Sequence, residues 1–126
     1  MTRKSYEYWH GFEHILLEDS YVLGFVFRNG DVELEMEFVL LEGHAQFSVP
    51  IKNEEYCYRR GSLILPEANL VKWSNCLLLH STDAEGEADY GNIENFYVDD
   101  GTYYLLGDWG ELQVRSKPPV IKLAHT

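Results

Sequence analysis

From Tyr21 to Leu40, apolar and polar residues alternate on both sides of the dipeptide Asn29-Gly30. Asn-Gly suits a type I′ turn, whose two central residues both need positive φ, so the segment is predicted to be a β-hairpin. Pairing Arg28 with Asp31 aligns Phe27 with Val32, Phe25 with Leu34, Leu23 with Met36 and Tyr21 with Phe38 on one apolar face. The other face then sets Val26 opposite Glu33, Gly24 opposite Glu35 and Val22 opposite Glu37. A slip of one residue would turn the apolar row into water, so the register is expected to be strongly specified.

A second hairpin is expected to turn at Asp100-Gly101, with Val98 opposite Tyr103 and Phe96 opposite Leu105 on one face and Tyr97 opposite Tyr104 on the other. Gly107-Asp108-Trp109-Gly110 interrupts the run, and alternation resumes over Glu111–Arg115, which makes a three-stranded meander. Further strands are expected over His14–Leu17, Glu55–Arg60, Leu63–Leu65, Leu70–Trp73 and Leu77–His80, with an edge strand at Val120–Leu123 after Pro118-Pro119. Helix is confined to a turn or two near Tyr6–Glu13, where Gly11 weakens even that. Ser81 to Asn92 reads as one long polar loop. Many short strands separated by turns predict an all-β fold in a single domain over residues 1–126. The architecture expected is an antiparallel sandwich or open barrel built from hairpins and a meander, with at most a short N-terminal helix.

A chain of 126 residues can bury roughly two thirds of its unfolded surface, so no disulfide or metal is needed to fold it. Cys57 and Cys76 stand in neither a CxxC nor a Cys/His ligand spacing and read as reduced, core-facing thiols. The start lacks the apolar run of a signal peptide, and no apolar stretch approaches the ~20 residues of a spanning helix. The expectation is a soluble cytoplasmic protein without a membrane partner.

Charge changes the picture. Between Lys72 and Arg115 there is no Lys or Arg, while Asp83, Glu85, Glu87, Asp89, Glu94, Asp99, Asp100, Asp108 and Glu111 fall there. Of 21 acids and 10 bases in the chain, the remainder holds 12 acids against those 10 bases, so nearly all of the net charge of −11 sits in one third of the sequence. Such a field attracts a cationic partner and disfavours nucleic acid, for which Arg3-Lys4 and Arg59-Arg60 are too few bases.

Several patterns touch on chemistry. His10-Gly-Phe-Glu13-His14 matches the H-x-x-E-H spacing of one zinc peptidase class, but that chemistry needs a stable helix, and Gly11 lies inside the segment. The simpler reading has Trp9 and Phe12 sealing one end of the core and leaves the histidines near the surface. Asp83 to Glu94 places oxygen ligands at positions 1, 3, 5 and 12 of a calcium-type loop, yet the sixth position is Ala88, where the tight turn wants Gly. Glu33, Glu35 and Glu37 share one strand face and read as a water-facing row that discourages edge-to-edge association. No G-x-S-x-G elbow or phosphate-binding glycine loop is present. Gly107-Asp-Trp-Gly110 reads as a tight turn with Trp109 folded over the core or an interface.

Three segments together resemble a class of small bacterial β-rich proteins, some of them similar to predicted immunity proteins of polymorphic toxin systems: the aromatic start with Trp9, Phe12 and His14, the acidic Asp83–Gly91 segment, and the closing Gly107–Ser116 run. The resemblance implies a one-to-one protein inhibitor of a toxin enzyme, working without a cofactor. It supplies no catalytic residues. The residues alone lead to a non-enzymatic module whose acidic face docks on a basic protein. Asp83, Glu85, Glu87, Asp89, Asp99, Asp100 and Asp108 are expected to supply charge, and Tyr90, Tyr97 and Trp109 to act as anchors, since aromatics dominate interface hot spots. The alternative is a β-barrel binding calcium or a small molecule, with no function assigned.

Overall fold

A computed structural model describes residues 4–6, 9–50, 56–74, 81–82 and 88–124. The strands are β1 (Lys4–Ser5), β2 (Ile15–Arg28), β3 (Asp31–Leu40), β4 (Cys57–Leu65), β5 (Leu70–Ser74), β6 (Ser81–Thr82), β7 (Ala88–Asp89), β8 (Ile93–Asp99), β9 (Thr102–Gly107), β10 (Gly110–Arg115) and β11 (Val120–Leu123). They form an all-β sandwich of two antiparallel sheets that do not close into a barrel. One sheet has the order β1-β8-β9-β10-β5 and the other β11-β4-β3-β2, with β6 and β7 as a separate ribbon.

Inner-facing Val32, Leu34, Met36, Phe38 and Leu40 of β3 meet Phe96, Leu105, Leu112 and Val114 of the opposite sheet in one buried core. Period-two alternation puts Glu33, Glu35 and Glu37 on the outer face, where Arg28 pairs with Glu33 at 2.8 Å and Arg60 with Glu37 at 3.4 Å. The hairpin at Asp100-Gly101 has the expected register, with Phe96 on Leu105, Tyr97 on Tyr104 and Val98 on Tyr103. Asp100 and Gly101 both have positive φ, as do Asn29 and Gly30 at the other hairpin.

The first hairpin follows the predicted register only from Arg28–Asp31 to Gly24–Glu35. There the register shifts, so Val22 lies opposite Met36 and Tyr21 opposite Glu37, which corrects the expected Leu23–Met36, Tyr21–Phe38 and Val22–Glu37 pairs. An extra residue in one strand exchanges its two faces, so Val22 is buried and Tyr21 exposed. A second irregularity between Leu16 and Tyr21 is filled by Ser20, a buried residue whose hydroxyl donates to the Leu16 carbonyl (2.7 Å) and accepts from the Val39 N–H (2.9 Å).

Two other expectations change. The separate strands at Glu55–Arg60 and Leu63–Leu65 are one continuous β4, paired with β3 from Cys57 to Leu65. Gly61 allows β11 to lie alongside, because a methyl group there would collide with the Lys122 carbonyl oxygen. The loop expected from Ser81 to Asn92 contains the β6–β7 ribbon, with Ser81 opposite Asp89 and Thr82 opposite Ala88. The expected strand Leu77–His80 and Cys76 lie outside the described residues. Cys57 is a buried free thiol. No helix among the described residues is long and apolar enough to cross a membrane.

At the N-terminal end Tyr6 takes a 3₁₀ conformation, and tight turns run from residue 9 to residue 14. Trp9 N–H donates to the Tyr6 carbonyl and Phe12 N–H to the Trp9 carbonyl. Phe12 is buried and Trp9 packs edge-on against Phe12, Phe96 and Tyr103, sealing the core as expected.

Candidate acidic docking site

Where β2 passes β8, the two sheets meet at their edges. Val22 N–H donates to the Gly91 carbonyl and Tyr90 N–H to the Val22 carbonyl, both at 2.8 Å, and these bonds close the seam at that point. Asn92 adds a side-chain amide bond to the Glu18 carbonyl. Trp109 then anchors Asn92 from the core, its indole N–H donating to the Asn92 carbonyl at 3.2 Å.

Glu18 stands at the centre of this arrangement. The Tyr6 hydroxyl donates to its carboxylate, lying 2.7 Å and 2.9 Å from the two oxygens, and accepts from the Leu17 N–H at 3.1 Å. One neutral phenol therefore fixes a half-buried carboxylate and satisfies a buried amide, without supplying a compensating charge.

Glu18 lines two adjoining concavities. The larger, about 490 Å³, is bounded by Ile15, Leu16 and Glu18 of β2, Glu94, Asn95 and Phe96 of β8, and Tyr6, Phe12, His14 and Leu41. The smaller, about 170 Å³, is bounded by Glu18, Asp19, Tyr21, Gly91, Asn92 and Asp108. Among the described residues neither carries a lysine or arginine in its wall. Asp19 accepts from the Tyr56 hydroxyl at 3.0 Å. Asp108 lies tightly against Gly91: a methyl group there would come within 2.7 Å of its Oδ2, and φ at Gly91 is +95°.

The residues expected to form the site divide. Asp83, Glu85 and Glu87 lie outside the described residues, as does the side chain of Asp89. The β6–β7 ribbon that brackets residues 83–87 in sequence abuts β2. Asp108 sits at the seam, with Tyr90 bonded to β2 beside it. Asp99 and Asp100 stand at the far end of the β8–β9 hairpin, one strand length or roughly 20 Å away at the usual rise per residue. Tyr97 lies on the outer sheet face, its ring stacked on Tyr104 with centroids 5.0 Å apart. Trp109 is corrected as an anchor: it is 0% exposed and packs against Phe25 and Trp73. Its size and apolar surface place it in the core, and the indole N–H finds its partner there. The sequence reading missed Glu18, Asp19 and Glu94 as a group. The only signal for Glu18 and Asp19 was a pair of acids beside a run of apolar residues.

The histidine motif takes no helical form. His14 has a φ of 60°, His10 and His14 are exposed, and His10 Nδ1 lies 3.9 Å from Glu13. Backbone N–H groups at Glu13 and Gly11 bond the Glu13 carboxylate and hold its pKa below the usual value against an opposing desolvation, with His10 and His14 adding lesser contributions in the same downward direction. Partial burial, with His14 and Arg59 nearby, lowers the pKa of His44 against the opposing pull of Glu13. Among the described residues, no three His, Cys, Asp or Glu side chains are placed to share a metal ion. Comparison with protein-family models, with curated proteins and with solved structures finds no match to this chain.

Proposed function

We propose that this chain is a cytoplasmic, non-enzymatic binding module that docks its acidic seam on a basic protein, as an immunity-type inhibitor would hold a toxin domain. One observation carries the reading: Glu18, Asp19, Glu94 and Asp108, from distant parts of the sequence, line two adjoining hollows with no lysine or arginine among the described wall residues. Between β6 and β7 the sequence carries three further acids, Asp83, Glu85 and Glu87. Carboxylates held on a sheet edge can occupy a site shaped for phosphates, and complementary fields accelerate encounter most at low salt. The bacterial immunity-type resemblance of the sequence points the same way.

The test begins with affinity capture from the source cells at low ionic strength, followed by purification of the recovered protein. A basic partner is expected, and the double variant Asp19→Asn/Asp108→Asn should slow its association by about tenfold, the scale on which rim charges act. For the toxin version, co-expression should restore growth to cells producing the partner. A partner that binds the double variant at an unchanged rate, or no basic partner at low salt, overturns the proposal.

A further inference from the structure

We infer that the larger hollow, between β2 and β8, seats an arginine side chain of the partner; this rests on the docking reading above and names the group recognised. The hollow is amphipathic in the sense a long cationic side chain requires. Leu16 and Leu41 give it an aliphatic wall, and Leu41 remains 37% exposed although nothing polar about it favours water. Glu18 and Glu94 supply negative charge and Asn95 a side-chain amide. A methylene stem can lie along the leucines while its charged head reaches the carboxylates.

Charge complementarity commits the occupant to a cation, and the form of the site selects guanidinium over ammonium. Glu18 is held in place twice, at its carboxylate by Tyr6 and at its backbone carbonyl by Asn92. A single hydroxyl proton serves both carboxylate oxygens, which leaves acceptor capacity directed at the hollow and at its smaller neighbour. One fixed carboxylate on β2, faced by the exposed Glu94 and Asn95 of β8, suits a planar group with five donors in a rigid fork. A compact ammonium has three donors but no planar fork for a bidentate grip, and being more strongly hydrated it loses more solvation on entering.

The probe is N-acetyl-arginine methylamide, titrated at low ionic strength into the whole chain and followed by backbone and Asn side-chain NMR shifts, with N-acetyl-lysine methylamide in parallel. Saturable shifts are expected at Leu16–Glu18, Leu41 and Glu94–Phe96, with the lysine compound at least about fivefold weaker. Glu94→Gln changes an exposed side chain, and Glu18→Gln keeps an oxygen for the Tyr6 hydroxyl. Each should weaken arginine binding by about threefold or more, whereas Glu35→Gln on the outer face of β3, away from the hollow, should leave it unchanged. Equal response to both compounds, shifts centred elsewhere, or indifference to Glu94→Gln overturns the inference. A captured partner that depends on Asp19 and Asp108, combined with an arginine probe that misses this hollow, would sink the arginine seat and leave the docking reading standing. Arginine binding here with no basic partner at low salt would do the reverse.

Discussion

Ser20 shows how much of this fold rests on single polar groups placed where strands part. It is the one buried polar residue among the described residues, and its hydroxyl bridges Leu16 and Val39 where the β2–β3 ladder is interrupted. Removing the hydroxyl would leave the Val39 N–H buried without an acceptor, a loss of about 1–3 kcal/mol. Ser20→Ala should therefore lower the urea midpoint without changing the slope of the transition. A midpoint unchanged within error would mean that water replaces the hydroxyl. Nothing in the local sequence Leu17-Glu18-Asp19-Ser20 announces this role, because serine is common on exposed strands. Trp109 posed the converse difficulty. A Trp in a Gly-Asp-Trp-Gly turn reads equally well as an interface anchor or a core plug, and only the three-dimensional path of Asn92 decides between them.

At the scale of elements, period-two alternation located the strands well and failed where it was locally ambiguous. The Asp100-Gly101 hairpin follows its predicted pairs because they lie within four residues of the Asp-Gly turn that fixes the register, from Asp99–Thr102 to Phe96–Leu105. Tyr21-Val22-Leu23 is apolar in both phases, so the pattern cannot reveal that the register shifts there. Gly61-Ser62 likewise resembles a break between two strands, although β4 runs through it, paired with β3 on one side and β11 on the other. The shift has a direct test in paired substitutions. Val22→Thr puts a hydroxyl into a fully buried site and should cost about 1–3 kcal/mol, while Leu23→Thr, at a half-buried position, should cost less than about 1 kcal/mol. An uninterrupted alternation would reverse that order, and denaturation of the two variants distinguishes them.

Across the whole molecule the dominant quantity is a net charge of −11, and it acts with opposite sign on stability and on docking. Excess like charge destabilises the compact state by self-repulsion, and salt relieves this as the screening length falls from about 30 Å at 0.01 M to about 10 Å at 0.1 M. Among the described residues, the ion pairs Arg28–Glu33, Arg60–Glu37 and Lys117–Glu67 all keep the cationic partner more than half exposed and are worth about 0–1 kcal/mol each. Screening of the unbalanced charge should therefore win, and the melting temperature should rise over this salt range. The same screening removes the attraction between the seam and a basic surface, so the association rate should fall by about tenfold or more over that range. Few alternative readings share this pairing. A protein stabilised mainly by its ion pairs would lose both stability and binding as salt increases. A neutral ligand in the seam would leave binding indifferent to salt while stability rises. Calorimetry and stopped-flow association on one sample, at matched salt, separate the three outcomes. Docking driven by Glu18, Asp19, Glu94 and Asp108 requires the two curves to run in opposite directions.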